Sequence, residues 1–154
     1  QLAHVASAQG VYVMEKIMGH EPDINLDVYP NCVFTLPEVA YVGMTEEELK
    51  KSGIDYKVSK FMFAANGKAL SLGEGEGFVK IFASQDNKVL GVTILGPHAN
   101  DLIHEGAIAN GLDVQTIART IHAHPTLSEA FYEATLGLVD AAIHIAPPRK
   151  RGRR

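Results

Sequence analysis

The sequence predicts an α+β fold, an antiparallel five-stranded sheet covered by helices as a two-layer domain. Two observations carry this. Short runs rich in β-branched and aromatic residues are grouped in the middle of the chain, and the last third carries apolar residues at helical spacing. Strands grouped before helices argue against a parallel sheet built from alternating βαβ units. At 154 residues, with 46% hydrophobic and 21% charged side chains, the chain is long enough and balanced enough to bury a core.

Residues 2–18 place Leu2, Val5, Ala6, Val13 and Ile17 mostly at helical spacing, and Gly19 follows as a stop. Residues 20–31 hold Pro22, Pro30 and several Asp and Asn without periodicity, which predicts a linker. Strands are predicted at 32–36 and 39–44 on either side of Pro37. Thr45-Glu46-Glu47-Glu48 then has the form of a capping box opening a helix that ends near Gly53. A third strand covers 56–63, while 64–70, broken by Asn66-Gly67, receives no assignment. Residues 78–83 and 89–95 are predicted to pair as a hairpin through 84–88. Beyond Pro97, Ala99, Leu102, Ile103, Gly106 and Ala107 share a helical face, and Asp113 caps a short helix carrying Val114, Ile117 and Ala118. A final helix is predicted from 126 to 145, mildly interrupted at Gly137 and ended by Pro147-Pro148.

The net charge is −4, yet Arg149, Lys150, Arg151, Arg153 and Arg154 crowd the last six positions. The rest of the chain is therefore acidic, which argues against a nucleic-acid-binding surface, and the basic tail at 147–154 is expected to be disordered. No apolar run reaches the length of a membrane helix. A single cysteine, Cys32, permits neither an internal disulfide nor a Cys-based zinc cage and fits a reducing compartment. Without an initiator Met, a signal peptide or a cap before the first helix, the chain is expected to be a fragment.

The densest chemistry lies at Ile121-His122-Ala123-His124-Pro125-Thr126-Leu127-Ser128-Glu129-Ala130. A carboxylate in the first turn of a helix can take the protonated ring nitrogen of a preceding histidine, fixing its tautomer and raising the basicity of the other nitrogen. That gives a His124–Glu129 acid/base pair. Thr126-Leu127-Ser128-Glu129 equally has the capping-box pattern, in which Glu129 would serve only the helix start. His122 and His124 form an H-x-H pair, but nothing nearby supplies a third ligand, so no metal is expected. Gly73-Glu74-Gly75-Glu76-Gly77 imitates a phosphate loop, yet its carboxylates would repel phosphate. Cys32, in an apolar run with no basic neighbour, reads as a buried structural thiol more readily than as a nucleophile. His98, His104 and Glu105 are expected to be solvated or capping residues.

The segment His122–Ala130 closely resembles the C-terminal active-site motif of the dihydrolipoamide dehydrogenases, flavin-dependent disulfide oxidoreductases. Phe34-Thr35-Leu36-Pro37-Glu38-Val39-Ala40-Tyr41-Val42-Gly43-Met44-Thr45-Glu46 is similar to the entry of that family's dimerisation domain. Leu2-Ala3-His4 with Gln9-Gly10 resembles the last helix of its FAD domain. The resemblance implies residues 1–19 as a residual FAD-domain helix, 20–31 as a linker and 32–146 as the dimerisation, or interface, domain. It further implies His124 as the base that takes a proton from a dithiol, with Glu129 orienting it, on the disulfide and flavin of the other subunit. Gln1, Leu2, Ala3, His4 and Pro125 would lie against the cofactor.

FAD and NAD are implied for the complete protein, a dihydrolipoyl dehydrogenase acting on a lipoyl-bearing protein as a homodimer, in the cytoplasm or a mitochondrial matrix. No cofactor is expected on this chain, which lacks the redox cysteine pair and the G-x-G-x-x-G fingerprints and is expected to be inactive alone. Neither nucleic acid nor membrane is expected as a partner. Glutathione reductase-like relatives usually carry a second acidic residue where Ala130 stands, and mercuric reductase-like ones extra C-terminal cysteines. A stand-alone dimerisation or scaffold module that keeps the motif unused is the competing expectation.

Overall fold

The computed structural model describes residues 2–145. Its elements are α1 (Ala3–Ile17), β1 (Asn31–Val33), β2 (Glu38–Gly43), α2 (Glu46–Ser52), β3 (Tyr56–Met62), α3 (Gly67–Leu72), β4 (Phe78–Ser84), β5 (Val89–Gly96), α4 (Ala99–Ala109), α5 (Val114–Ala118) and α6 (Ser128–Gly137). The five strands form one sheet in the order β1-β2-β5-β4-β3, antiparallel at every step. Two cross-strand rows build its core face. Ala40, Ile94, Val79 and Phe61 lie side by side across four strands, and Val42, Val92, Ile81 and Ser59 form the next row.

Helix α4 packs on β2 and β5, and α6 on β3 and β4, so the two helices share the sheet between them. Ile103, Phe131, Ala130 and Ala134 close the core from the helical side. On the opposite face Glu46 of α2 reaches Lys80 at 2.9 Å, and Leu49 and Phe82 are buried outside the main core. The capping box at Thr45 and Glu48 is formed as the spacing requires.

Three expectations are corrected. The first strand is Asn31–Val33 rather than 32–36, and Phe34 and Leu36 are exposed. β1 pairs with β2 as a hairpin, so the residues between them must turn back instead of extending, and the Leu36–Pro37 bond within that turn is cis. The unassigned stretch contains a 3-10 turn at Phe63–Ala65 and then α3, whose start is capped by the Asn66 side chain accepting the Ala69 N–H at 2.9 Å. The final helix runs only Ser128–Gly137, not 126–145. A Cβ at Gly137 would clash with Ser59 Oγ, so α6 touches β3 there, and beyond it the chain turns at Asp140 in the left-handed region.

Helix α1 stands apart from this core: it buries no residue, and Val11, Val13, Met14, Ile17 and Met18 are exposed along it. His4 Nε2 lies 2.8 Å from the Pro30 carbonyl, which ties the helix to the segment before β1. Gln1 and the basic tail, including Pro147 and Pro148, lie outside the described residues.

Candidate acid/base site

The loop between α5 and α6 carries both histidines, and each meets its own carboxylate. His124 Nδ1 donates to Glu129 Oε1 at 2.9 Å, while Glu129 Oε2 accepts the Thr126 backbone N–H at 2.8 Å. The two readings of Glu129 are thus compatible, since one oxygen serves the helix start and the other the imidazole. The capping box itself is only half formed. Thr126 Oγ1 donates to the Ala123 carbonyl at 2.7 Å, and the helix starts two residues later. The Glu129 carboxyl is held below its ordinary pKa: partial burial pushes it up, but the Thr126 N–H and His124 outweigh that. The His124 side chain is 79% exposed and Glu129 28%, and Nε2 of His124 has no hydrogen-bond partner among the described residues. Fixing Nδ1 as the donor leaves Nε2 as a free base at the surface.

His122, two residues earlier, faces inward. Its side chain is 6% exposed, its Nε2 lies 2.5 Å from Glu105 Oε1, and its Nδ1 donates to the Thr120 carbonyl at 3.0 Å. The ring stacks on Tyr132 of α6, with centroids 4.8 Å apart. The expectation that Glu105 is a solvated or capping residue is therefore overturned. It sits on α4 one turn past Asp101, and the tertiary fold turns it under the loop, where desolvation raises its pKa against the opposing effect of His122. His98 and His104 do remain exposed beside Asp101. The H-x-H pair diverges onto two carboxylates, and no group of three or more potential ligands converges among the described residues.

A third tether was not legible in the sequence. Asn66, buried, donates from Nδ2 to the Thr126 carbonyl at 3.0 Å, tying the loop to α3. Nothing in the local pattern around Asn66 indicates a partner sixty residues away.

The remaining candidates lie elsewhere. Leu2, Ala3 and His4 sit at the start of α1, Gln1 is outside the described residues, and Pro125 is exposed after a cis His124–Pro125 bond. An open cleft of about 380 Å³ between Leu36, Pro37, Gly96 and Pro97 is flanked by Glu38, Glu74, Glu76 and His98. Three carboxylates make it a poor seat for a dinucleotide diphosphate. Cys32 is half-buried rather than fully buried, and burial followed by Glu38 pushes its thiol pKa up, which disfavours the thiolate.

Residues 29–135 match the dimerisation domain of the pyridine nucleotide-disulphide oxidoreductases. The dihydrolipoyl dehydrogenase of Chlamydia muridarum is 45% identical over 153 residues, covering 97% of this chain and 33% of its own length. The mitochondrial dihydrolipoyl dehydrogenase 1 of Arabidopsis thaliana is 48% identical over 147 residues, covering 94% of this chain and 29% of its own. Among solved structures, LpdA of Mycobacterium tuberculosis superposes with a TM-score of 0.82 at 31% identity, over 89% of this chain and 31% of that one. The chain spans about a third of the length of these curated relatives.

Proposed function

Since the chain belongs to the pyridine nucleotide-disulphide oxidoreductase family through its dimerisation domain, we propose that it is the C-terminal part of a dihydrolipoyl dehydrogenase and supplies that enzyme's acid/base pair. The observation that carries the reading is the 2.9 Å bond from His124 Nδ1 to Glu129, which leaves an exposed, unpartnered Nε2. In the reaction, Nε2 takes the proton of a dihydrolipoyl thiol, because only the thiolate attacks a disulfide. Glu129 stays ionised and stabilises the imidazolium, holding it in the orientation that meets the incoming thiol. FAD and NAD would provide the electron pathway, with Leu2, Ala3, His4 and Pro125 lying against the flavin and the rest of both sites supplied by parts of the protein outside this chain.

The proposal divides the chain into a flavin-domain helix at 1–19, a linker at 20–31, the dimerisation domain at 32–146 and the tail at 147–154. The exposed apolar face of α1 supports this, since a helix that buries nothing here needs a larger body to pack on. Homodimer formation finds support in Ile108 and Ile121, 77% and 96% exposed, beside a shallow apolar groove of about 150 Å³ next to the loop. A lipoyl-bearing protein is the proposed substrate, in the cytoplasm or a mitochondrial matrix. Among the described residues no helix is long and apolar enough to cross a membrane.

The test is kinetic, in the complete flavoenzyme. His124→Gln should slow dithiol oxidation by about 10²–10⁴-fold, because the proton acceptor is gone. Glu129→Gln should slow it less, with thermal stability nearly unchanged, since an amide oxygen can still accept the Thr126 N–H. Both variants turning over at the wild-type rate would refute the reading.

A further inference from the structure

The loop bearing His124 is held from below by a second histidine–carboxylate pair that the proposed chemistry does not use. His122 Nδ1 faces the Thr120 carbonyl at 3.0 Å, and a carbonyl oxygen can only accept, so Nδ1 must carry a proton. His122 Nε2 faces Glu105 Oε1 at 2.5 Å. A neutral imidazole protonated at Nδ1 presents a lone pair at Nε2, and an ionised carboxylate presents lone pairs only. Two acceptors cannot face each other at that separation without a proton between them. The contact therefore requires one further proton, on Nε2 or on the Glu105 carboxyl. The surroundings agree. Tyr132 of α6 covers the ring, Ser128 of the same helix approaches the Glu105 carboxyl, and neither brings a formal charge. Apolar Ile108, Leu112 and Ile117 line the groove beside the pair.

The pair also joins three parts of the fold: Glu105 on α4, His122 in the loop and Tyr132 on α6. Asn66 holds the far end of the same loop through Thr126. His124 lies between these two tethers, and its ring projects to the surface.

We propose that Glu105 and His122 retain a shared proton and act as positioning residues, setting the loop so that His124 Nε2 meets the thiol. The positioning role rests on the acid/base function proposed for His124; the shared proton does not.

Two measurements test it. The first is nitrogen NMR of this chain labelled with ¹⁵N-histidine, at neutral pH. His122 should show a protonated Nδ1 and a slowly exchanging downfield proton on the Nε2–Glu105 axis, which Glu105→Gln abolishes while Nδ1 stays protonated. An unprotonated Nδ1 in the wild type would overturn the shared proton. The second is turnover of the complete flavoenzyme. Glu105→Ala leaves Nε2 without a partner and should lower kcat about tenfold or more, with the dithiol KM little changed. Glu105→Gln should restore kcat, because its amide donates to Nε2 without the extra proton. Wild-type kcat in Glu105→Ala beside an impaired His124→Gln would overturn the positioning role alone. A His124→Gln enzyme of normal activity would instead overturn the function on which that role rests.

Discussion

Replacing Glu133 with alanine should be among the most damaging single changes on α6. The residue is 4% exposed, and its carboxylate accepts the backbone N–H groups of Ile143 and His144 at 3.1 and 2.9 Å and the His144 Nδ1–H at 3.1 Å. These bonds latch the chain beyond α6 back onto the helix. A hydrogen bond to an ionised acceptor contributes roughly 1.5–3 kcal/mol. Ile143 and His144 lie at the surface, so their released N–H groups would find water, and the net loss falls below the sum of three bonds. Adding the void left by the buried methylenes, we expect about 2–4 kcal/mol for Glu133→Ala. For a chain of this size that corresponds to a fall in Tm of roughly 5–15 °C. Glu133→Gln keeps an oxygen for the two backbone groups but sets its amide N–H against His144 Nδ1, losing the charge and the bond to that exposed ring, so about 1 kcal/mol is expected. Urea denaturation followed by circular dichroism, with unchanged slope, reads both values. A Glu133→Ala midpoint matching the wild type, or a glutamine variant weaker than the alanine one, would refute the latch.

Two further predictions concern packing and pH. A Cβ on Gly106 would stand 3.0–3.2 Å from Val92 and Val42, so Gly106→Ala must lift α4 from the sheet and should cost about 1–3 kcal/mol in the same denaturation assay, despite alanine's better helix propensity. Glu46, bonded to Lys50 and Lys80, has its pKa lowered to about 2, below its value in the unfolded chain, so its contribution is present at neutral pH and lost as pH falls from roughly 5 to 2. The pair is largely solvated, so Glu46→Gln should destabilise by under about 1 kcal/mol at pH 7, with the difference shrinking steadily as pH falls towards the folded pKa; an acid-side difference as large as the neutral one would contradict this.

Local patterns determined much of this protein. The period-two runs from Tyr56 to Leu95 specify strands because one face must be apolar, and the capping box at Thr45 and the Asp113 cap start helices through contacts two or three residues away. The proximity of His124 and Glu129 was equally legible, since five residues across a helix start leave few other geometries. Where the long-range partner decides, the sequence is silent. Residues 32–36 read as one strand until β2 claims its neighbour and the chain must turn at Phe34, and the last helix ends at Gly137, where it lies against β3, before the chain turns at Asp140. Glu105 and Glu133 look like ordinary exposed helix carboxylates among many. Only the fold brings His122 to the first and the returning chain to the second, because helical spacing sets the direction of a side chain and tertiary packing sets what stands there. Asn66 is the same case at greater range: its cap on α3 is local, whereas its bond to Thr126 exists only because α6 packs on β3 and so brings the segments next to each together.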